Sequence, residues 1–184
     1  EILETRRDQF VAELKSQGLP IAAARDEVDQ SIEQLVYYAG WADKYQQVFS
    51  TVNPVSSSHF NFSILEPTGV VGILAPATPS LLGFVAAMAP VVCGGNSCVV
   101  LASETKPLCS ITLAEVLETS DFPAGVVNIL TGSRSELLEQ FATHMDINAI
   151  VYCGDDATGL RVVQEGASLN VKRIVHCTDT APHD

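Results

Sequence analysis

From residue 69 onward, short apolar runs alternate with longer stretches in which apolar residues recur at helical spacing. The runs are GVVGILA (69–75), SCVVLA (97–102), VVNIL (126–130), NAIVYC (148–153) and KRIVHC (172–177). They are rich in valine and isoleucine and nearly continuous, which suits strands buried on both faces of a parallel sheet. Between them lie SLLGFVAAMAPVV, PLCSITLAEVLETS, RSELLEQFATH and ATGLRVVQEGAS, which read as crossover helices. Strand and helix in strict alternation predict an α/β, Rossmann-like doubly wound parallel sheet of about five strands.

The first 50 residues have a different pattern. EILETRRDQFVAELKSQG places Ile2, Leu3, Phe10, Val11 and Leu14 on one stripe and ends at Gly18. RDEVDQSIEQLVYYAGWADKYQQVF predicts a second, longer helix interrupted at modest cost by Gly40. The polar run STVNPVSSS (50–58) predicts a loop. In HFNFSILEP, Phe60, Phe62 and Ile64 alternate with Asn61 and Ser63, the period of a half-buried strand. One domain over 1–184 is expected, with a helical pair (1–50), an amphipathic strand (59–66) and a Rossmann-like core (69–177).

Composition narrows the partners. Ten basic residues against 22 acidic ones give a formal charge of -12, which disfavours nucleic acid and anionic membranes. No apolar run reaches the ~18 residues of a membrane-spanning helix. No secretory signal opens the chain, and the abrupt, charged start predicts a segment of something longer. The five cysteines contain no CxxC, so reduced, buried thiols and a cytoplasmic location are expected; NFS at Asn61 then has no use as a glycosylation acceptor.

In open parallel sheets, ligands bind beyond the carboxyl ends of the strands, at helix amino termini. The loops there are APATPS, ASETKP, TGSRS and CGDDATG, and none completes a GxGxxG or Walker pattern.

Several segments carry a specific resemblance. EVDQSIEQLVYYAGWADK, EPTGVVGILAP, APVVCGGNSCVVLASETKPL, FPAGVVNILTG and DINAIVYCGDDATG follow, in order, the coenzyme-binding half of the aldehyde dehydrogenase superfamily. The pattern of altered positions is most similar to the degenerate second dehydrogenase-like region of family 16 members. The resemblance implies NAD(P) as coenzyme, yet most of the implied contacts are changed.

Where the family has Pro-Trp-Asn, with its oxyanion-hole asparagine, this chain has Pro76, Ala77 and Thr78. Thr78 is either a surviving donor or a turn residue, and losing one such donor costs about 100-fold or more in rate. At the family's ribose-binding lysine and glutamate stand Leu101 and Glu104; Glu104 either grips a ribose or is a solvated charge. Asp155 and Asp156 replace the Ser and Thr that face the pyrophosphate, between Gly154 and Gly159, which keep the turn. An aspartate there caps the helix and places its own charge in the anion site. His176 or Cys177 stands at the general-base glutamate, and Asp179 and Thr180 replace the glycines after it.

None of the cysteines occupies the nucleophile's place, so no catalytic residue is assigned and this chain is not expected to oxidise aldehydes. His176, Cys177, Asp179, His183 and Asp184 fit no zinc spacing, so no metal site is assigned. Pro76, Thr78, Glu104, Gly154 and Gly159 are therefore expected as a vestigial coenzyme site, with no coenzyme bound by this chain. The strand at Phe60, Phe62 and Ile64 corresponds to the family's oligomerisation flap. Either it pairs with another copy or with the remainder of a longer parent chain, or its apolar residues pack on their own domain. Two functions follow: a non-catalytic structural or protein-interaction domain, or the coenzyme-binding fragment of an active NAD(P)-dependent aldehyde dehydrogenase.

Overall fold

The computed structural model describes residues 1–178; Asp179, Thr180, His183 and Asp184 lie outside the described residues. Four helical segments come first, α1 (Ile2–Thr5), α2 (Arg7–Ser16), α3 (Ile21–Trp41) and α4 (Tyr45–Phe49), where two helices are expected from the pattern. The first predicted helix breaks at Arg6, whose ψ of 11° leaves the helical region. The second runs through Gly40 and stops at Trp41.

The flap is an antiparallel ribbon of β1 (Thr51–Asn53) and β2 (Asn61–Ser63), with Val52 opposite Phe62. Two expectations are corrected here. The polar run 50–58 is not all loop, because β-branched Thr51 and Val52 accept extended backbone and Asn53 Nδ2 ties across to Asn61 Oδ1 and Ser63 Oγ at 3.0 and 2.9 Å. The strand expected over 59–66 accordingly shortens to Asn61–Ser63. Phe60, Phe62 and Ile64 are 74%, 55% and 54% exposed, so more than half of each residue's surface is left uncovered by the described residues of its own domain.

The remaining strands, β3 (Val70–Leu74), β4 (Ser97–Leu101), β5 (Val127–Leu130), β6 (Ala149–Cys153) and β7 (Arg173–Cys177), form one parallel sheet in the order β5-β4-β3-β6-β7. The chain first builds outward from β3 through β4 to β5. It then returns to place β6 on the other side of β3. The gap between the ends of β3 and β6 is therefore the topological switch point, where such sheets hold ligands.

Alternate residues of β3 serve opposite faces, as the strand period requires. Val71, Ile73 and Ala75 pack with Phe84, Met88 and Leu113 from α5 (Leu82–Cys93) and α6 (Leu108–Glu118). Phe10, Leu14 and Val28 add a second helical layer to the same cluster. Leu74 joins Phe141, Ile150, Tyr152 and Val163 on the other face, beneath α7 (Arg134–Thr143) and α8 (Ala157–Ser168). A Cβ on Gly72 would meet Phe141 at 2.9 Å, and one on Gly166 would meet Ala142 Cβ at 2.7 Å. Both glycines let this second layer sit close.

Burial on both faces holds for β6 but fails at the edges: Leu130 on β5 is 41% exposed and Val175 on β7 is 53% exposed. An edge strand has one neighbour and less helix above it, so a continuous apolar run overstates its burial. Among the described residues, no helix is long and apolar enough to cross a membrane.

Candidate functional site

The carboxyl ends of the strands face the amino termini of α5, α6, α7 and α8. A helix amino terminus carries unsatisfied N–H groups and about half a positive charge, and is the usual seat of a phosphate. In this chain a side-chain oxygen reaches each of the four. Glu27, buried on α3, accepts from Leu81 N–H at 2.7 Å and Leu82 N–H at 3.4 Å at the start of α5. Gln17 Oε1 accepts from Leu108 N–H at 3.3 Å at α6. Glu104 Oε2 accepts from Arg134 N–H at 2.9 Å at α7. Asp156 caps α8, its two oxygens accepting from Thr158 N–H at 3.0 Å and Gly159 N–H at 2.9 Å.

The switch point is bridged by a cation. Arg134 Nη1 donates to the Ala75 carbonyl just past β3 at 3.1 Å, and Nη2 to the Cys153 carbonyl ending β6 at 2.6 Å. Its guanidinium also lies over the Tyr152 ring, 4.6 Å from the centroid. The planar fork suits two acceptors at once and stacks on an aromatic face. Tyr152 is buried, and its ring also meets His176 at 5.9 Å. His176 has a partner, which the sequence did not disclose: its Nε2–H donates to the Gly154 carbonyl at 2.8 Å.

The sequence-predicted residues can be placed one by one. Gly154 takes a φ of +140°, which a side chain rarely adopts, and turns the chain from β6 into α8. Gly159, in the first turn of α8, lies so close to β6 that a Cβ would meet Tyr152 Oη at 2.3 Å. Pro76 is buried against Gly83, whereas Thr78 is exposed. Leu101 is buried in the core and offers no polar group. Asp155 is exposed beside the capping Asp156. Glu104, Arg134, Leu138, Tyr152, Asp156 and Val162 line an open cleft of about 400 Å³ between α7 and α8.

Three contributors were missed from the sequence. Glu27 and Gln17 arrive from the amino-terminal helices, over separations no local pattern encodes. Arg134 carried one readable signal. A cation in the first turn of a helix opposes the dipole, so it has to be used elsewhere.

The cysteines differ from expectation as well. Cys98, Cys109 and Cys153 are buried, whereas Cys93 and Cys177 are only partly so, the latter because β7 is an edge. Burial pushes the Cys98 thiol up to about 12 and that of Cys109 further in the same direction. Among the described residues, no group of three or more His, Cys, Asp or Glu is placed to hold a metal ion.

Known proteins share this fold. The structure superposes on PnpE from Pseudomonas sp. WBC-3 with a TM-score of 0.89 and 30% identity, covering 95% of this chain and 36% of that one. The structure of PnpE in complex with nicotinamide adenine dinucleotide matches with the same TM-score at 29% identity. Omega-crystallin of Enteroctopus dofleini is 35% identical over 158 residues, which are 85% of this chain and 31% of that protein. The cytosolic aldehyde dehydrogenase 1 of Elephantulus edwardii is 31% identical over 148 residues, 80% of this chain and 29% of that protein. The chain thus spans about a third of the length of these relatives. The sequence profile described as "Aldehyde dehydrogenase family" matches residues 1–178, and the chain belongs to that family.

Proposed function

We propose that this chain is a non-catalytic domain of its family, whose coenzyme crevice is closed by its own side chains and which serves as a structural or protein-interaction module. The observation that carries this reading is Arg134 lying across the switch point, bonded to both Ala75 and Cys153. A dinucleotide does not fit the residues present. Its pyrophosphate would have to displace the Asp156 carboxylate from α8 or sit beside it. Two unit charges about 4 Å apart repel by roughly 4 kcal/mol at an effective dielectric of 20, before the loss of the cap. Glu104 is engaged with Arg134 N–H, and Leu101 supplies no donor at the position the lysine would take.

The exposed ribbon supports the second half of the reading. Among the described residues β2 pairs only with β1, and the rings of Phe60 and Phe62, beside and on β2, meet at 5.5 Å, tilted by 37°. Leu65, just beyond it, borders a hollow lined by Tyr38, Trp41, Phe49 and Pro90. An amphipathic edge of this kind is built to be covered, by a second copy of the chain or by the rest of a longer parent. The narrower kinship with the second dehydrogenase-like region of family 16 members, and a cytoplasmic location, belong to the same reading.

The competing function is a fragment of an active NAD(P)-dependent dehydrogenase, and the retained Glu104 and the cleft between α7 and α8 favour it. Thermal unfolding with and without NAD or NADP separates the two. A ligand at 100 times its dissociation constant stabilises by about 2.7 kcal/mol. An unchanged Tm at millimolar coenzyme supports the closed site, and a rise of several degrees overturns it.

A further inference from the structure

Cys153 and Cys177 are the last residues of β6 and β7 and are register partners in the sheet. Register partners on adjacent strands project to the same face, and both cysteines pack against the same apolar cluster. Neighbouring strands lie about 4.8 Å apart, inside the span of about 4.4–6.8 Å over which two Cα atoms accept a disulfide. The two Cβ atoms have to close by a few tenths of an ångström to about one ångström to reach the 3.5–4.5 Å of a bridged pair. Cys177 is only partly buried because β7 is an edge, and the bond from Gly154 N–H to the Cys177 carbonyl holds the two strand ends side by side.

We propose that Cys153 and Cys177 are an oxidisable dithiol that forms a reversible disulfide across the ends of β6 and β7 with a low-molecular-weight disulfide as oxidant. Cys177 is the more exposed and reacts first. Its thiolate attacks one sulfur of the oxidant, forming a mixed disulfide and releasing one small thiol. Cys153 as thiolate then attacks the Cys177 sulfur and releases the second small thiol. The protein loses two protons and two electrons, and the oxidant gains both as two thiols. The required lean of one strand end toward the other makes the bond strained and easily reduced.

Cys153 is buried like Cys98 and Cys109, but its register partner on the neighbouring strand is a cysteine, whereas Cys98 stands between Val71 and Val127. Cys98 and Cys109 are deeply buried, and burial holds them as thiols. Bridge formation would also act on the mouth of the crevice, since the Cys153 carbonyl holds Arg134 and the Cys177 carbonyl accepts from Gly154 N–H at 3.0 Å.

Trypsin separates the partners cleanly, with Cys153 alone in residues 135–161 and Cys177 alone in 174–184. The native 184-residue chain is incubated with oxidised glutathione, alkylated and digested without reduction. The expected result is a cross-link between these two peptides that excess reduced glutathione removes. Cys177→Ser, a change at a partly exposed edge position, should lower the linked peptide at least tenfold and leave Cys153 unmodified. Cys153→Ser should stop the reaction with glutathione on Cys177. A native chain that accumulates glutathione on Cys177 without the cross-link, or that links either peptide to the one carrying Cys93, overturns the proposal.

Discussion

The mouth of the sheet and the β1–β2 ribbon are both surfaces, and the chain treats them oppositely. At the mouth, the amino termini of four helices and two strand-end carbonyls are met by side chains of the same chain. On the ribbon, Phe60, Phe62 and Val52 remain 55–74% exposed. Unsatisfied polar groups invite an anion, and uncovered aromatics invite an apolar partner. Under the proposed function, the interaction surface of this domain lies on the ribbon and not at the place where its fold normally binds ligands.

Perturbing the two regions should give effects of very different size. Tyr152→Ala removes a buried ring that supports both Arg134 and His176, and should cost about 3–5 kcal/mol by denaturant unfolding. A pH series should expose the burial of the layer behind the mouth. The Cys98 thiol is raised from 9.0 to about 12, so below pH 9 it is neutral in both folded and unfolded chains. Above pH 9 the unfolded chain releases its proton and the folded chain does not. Stability then falls as pH rises toward 12, by up to about 1.4 kcal/mol per pH unit. Cys98→Ala should lessen that slope and leave the share that comes from Cys109, whose thiol burial raises in the same direction.

Gly159→Ala should cost about 1–3 kcal/mol, since its Cβ meets Tyr152 Oη and Asp156 Oδ2. Asp156→Ala, which removes the cap of α8, should cost about 1 kcal/mol. At the ribbon, Phe62→Asp should change the stability of the isolated domain by less than about 0.5 kcal/mol. The same change should abolish any self-association seen by size-exclusion chromatography with light scattering. A monomer before and after the change would count against a second copy as the partner.

Legibility followed the range of the interactions. The five strands of the sheet were readable because each is a compact run of β-branched residues between turn residues. The span of α8 was readable as ATGLRVVQEGAS, and Asp156 as its cap, because capping is local in sequence. Edge exposure was not, since burial depends on neighbours that the run itself does not name. Strand β1 was hidden because two β-branched residues inside a polar stretch pair only when Asn61–Ser63 returns beside them. Arg134, Glu27 and Gln17 were hidden because each acts on an element distant in sequence. The altered contacts at Leu101, Asp155 and Asp156 were legible only through the family resemblance. The structure adds a feature that no comparison of motifs contained, the guanidinium across the switch point.

The most direct test is isothermal calorimetry of NAD into the unaltered chain and into an Arg134→Ala/Asp155→Ser/Asp156→Thr variant, with folding of both verified by circular dichroism. The account predicts no heat of binding for the unaltered chain and measurable affinity for the variant. Micromolar binding by the unaltered chain would contradict it, because the crevice would then admit the coenzyme with Arg134 and Asp156 in place.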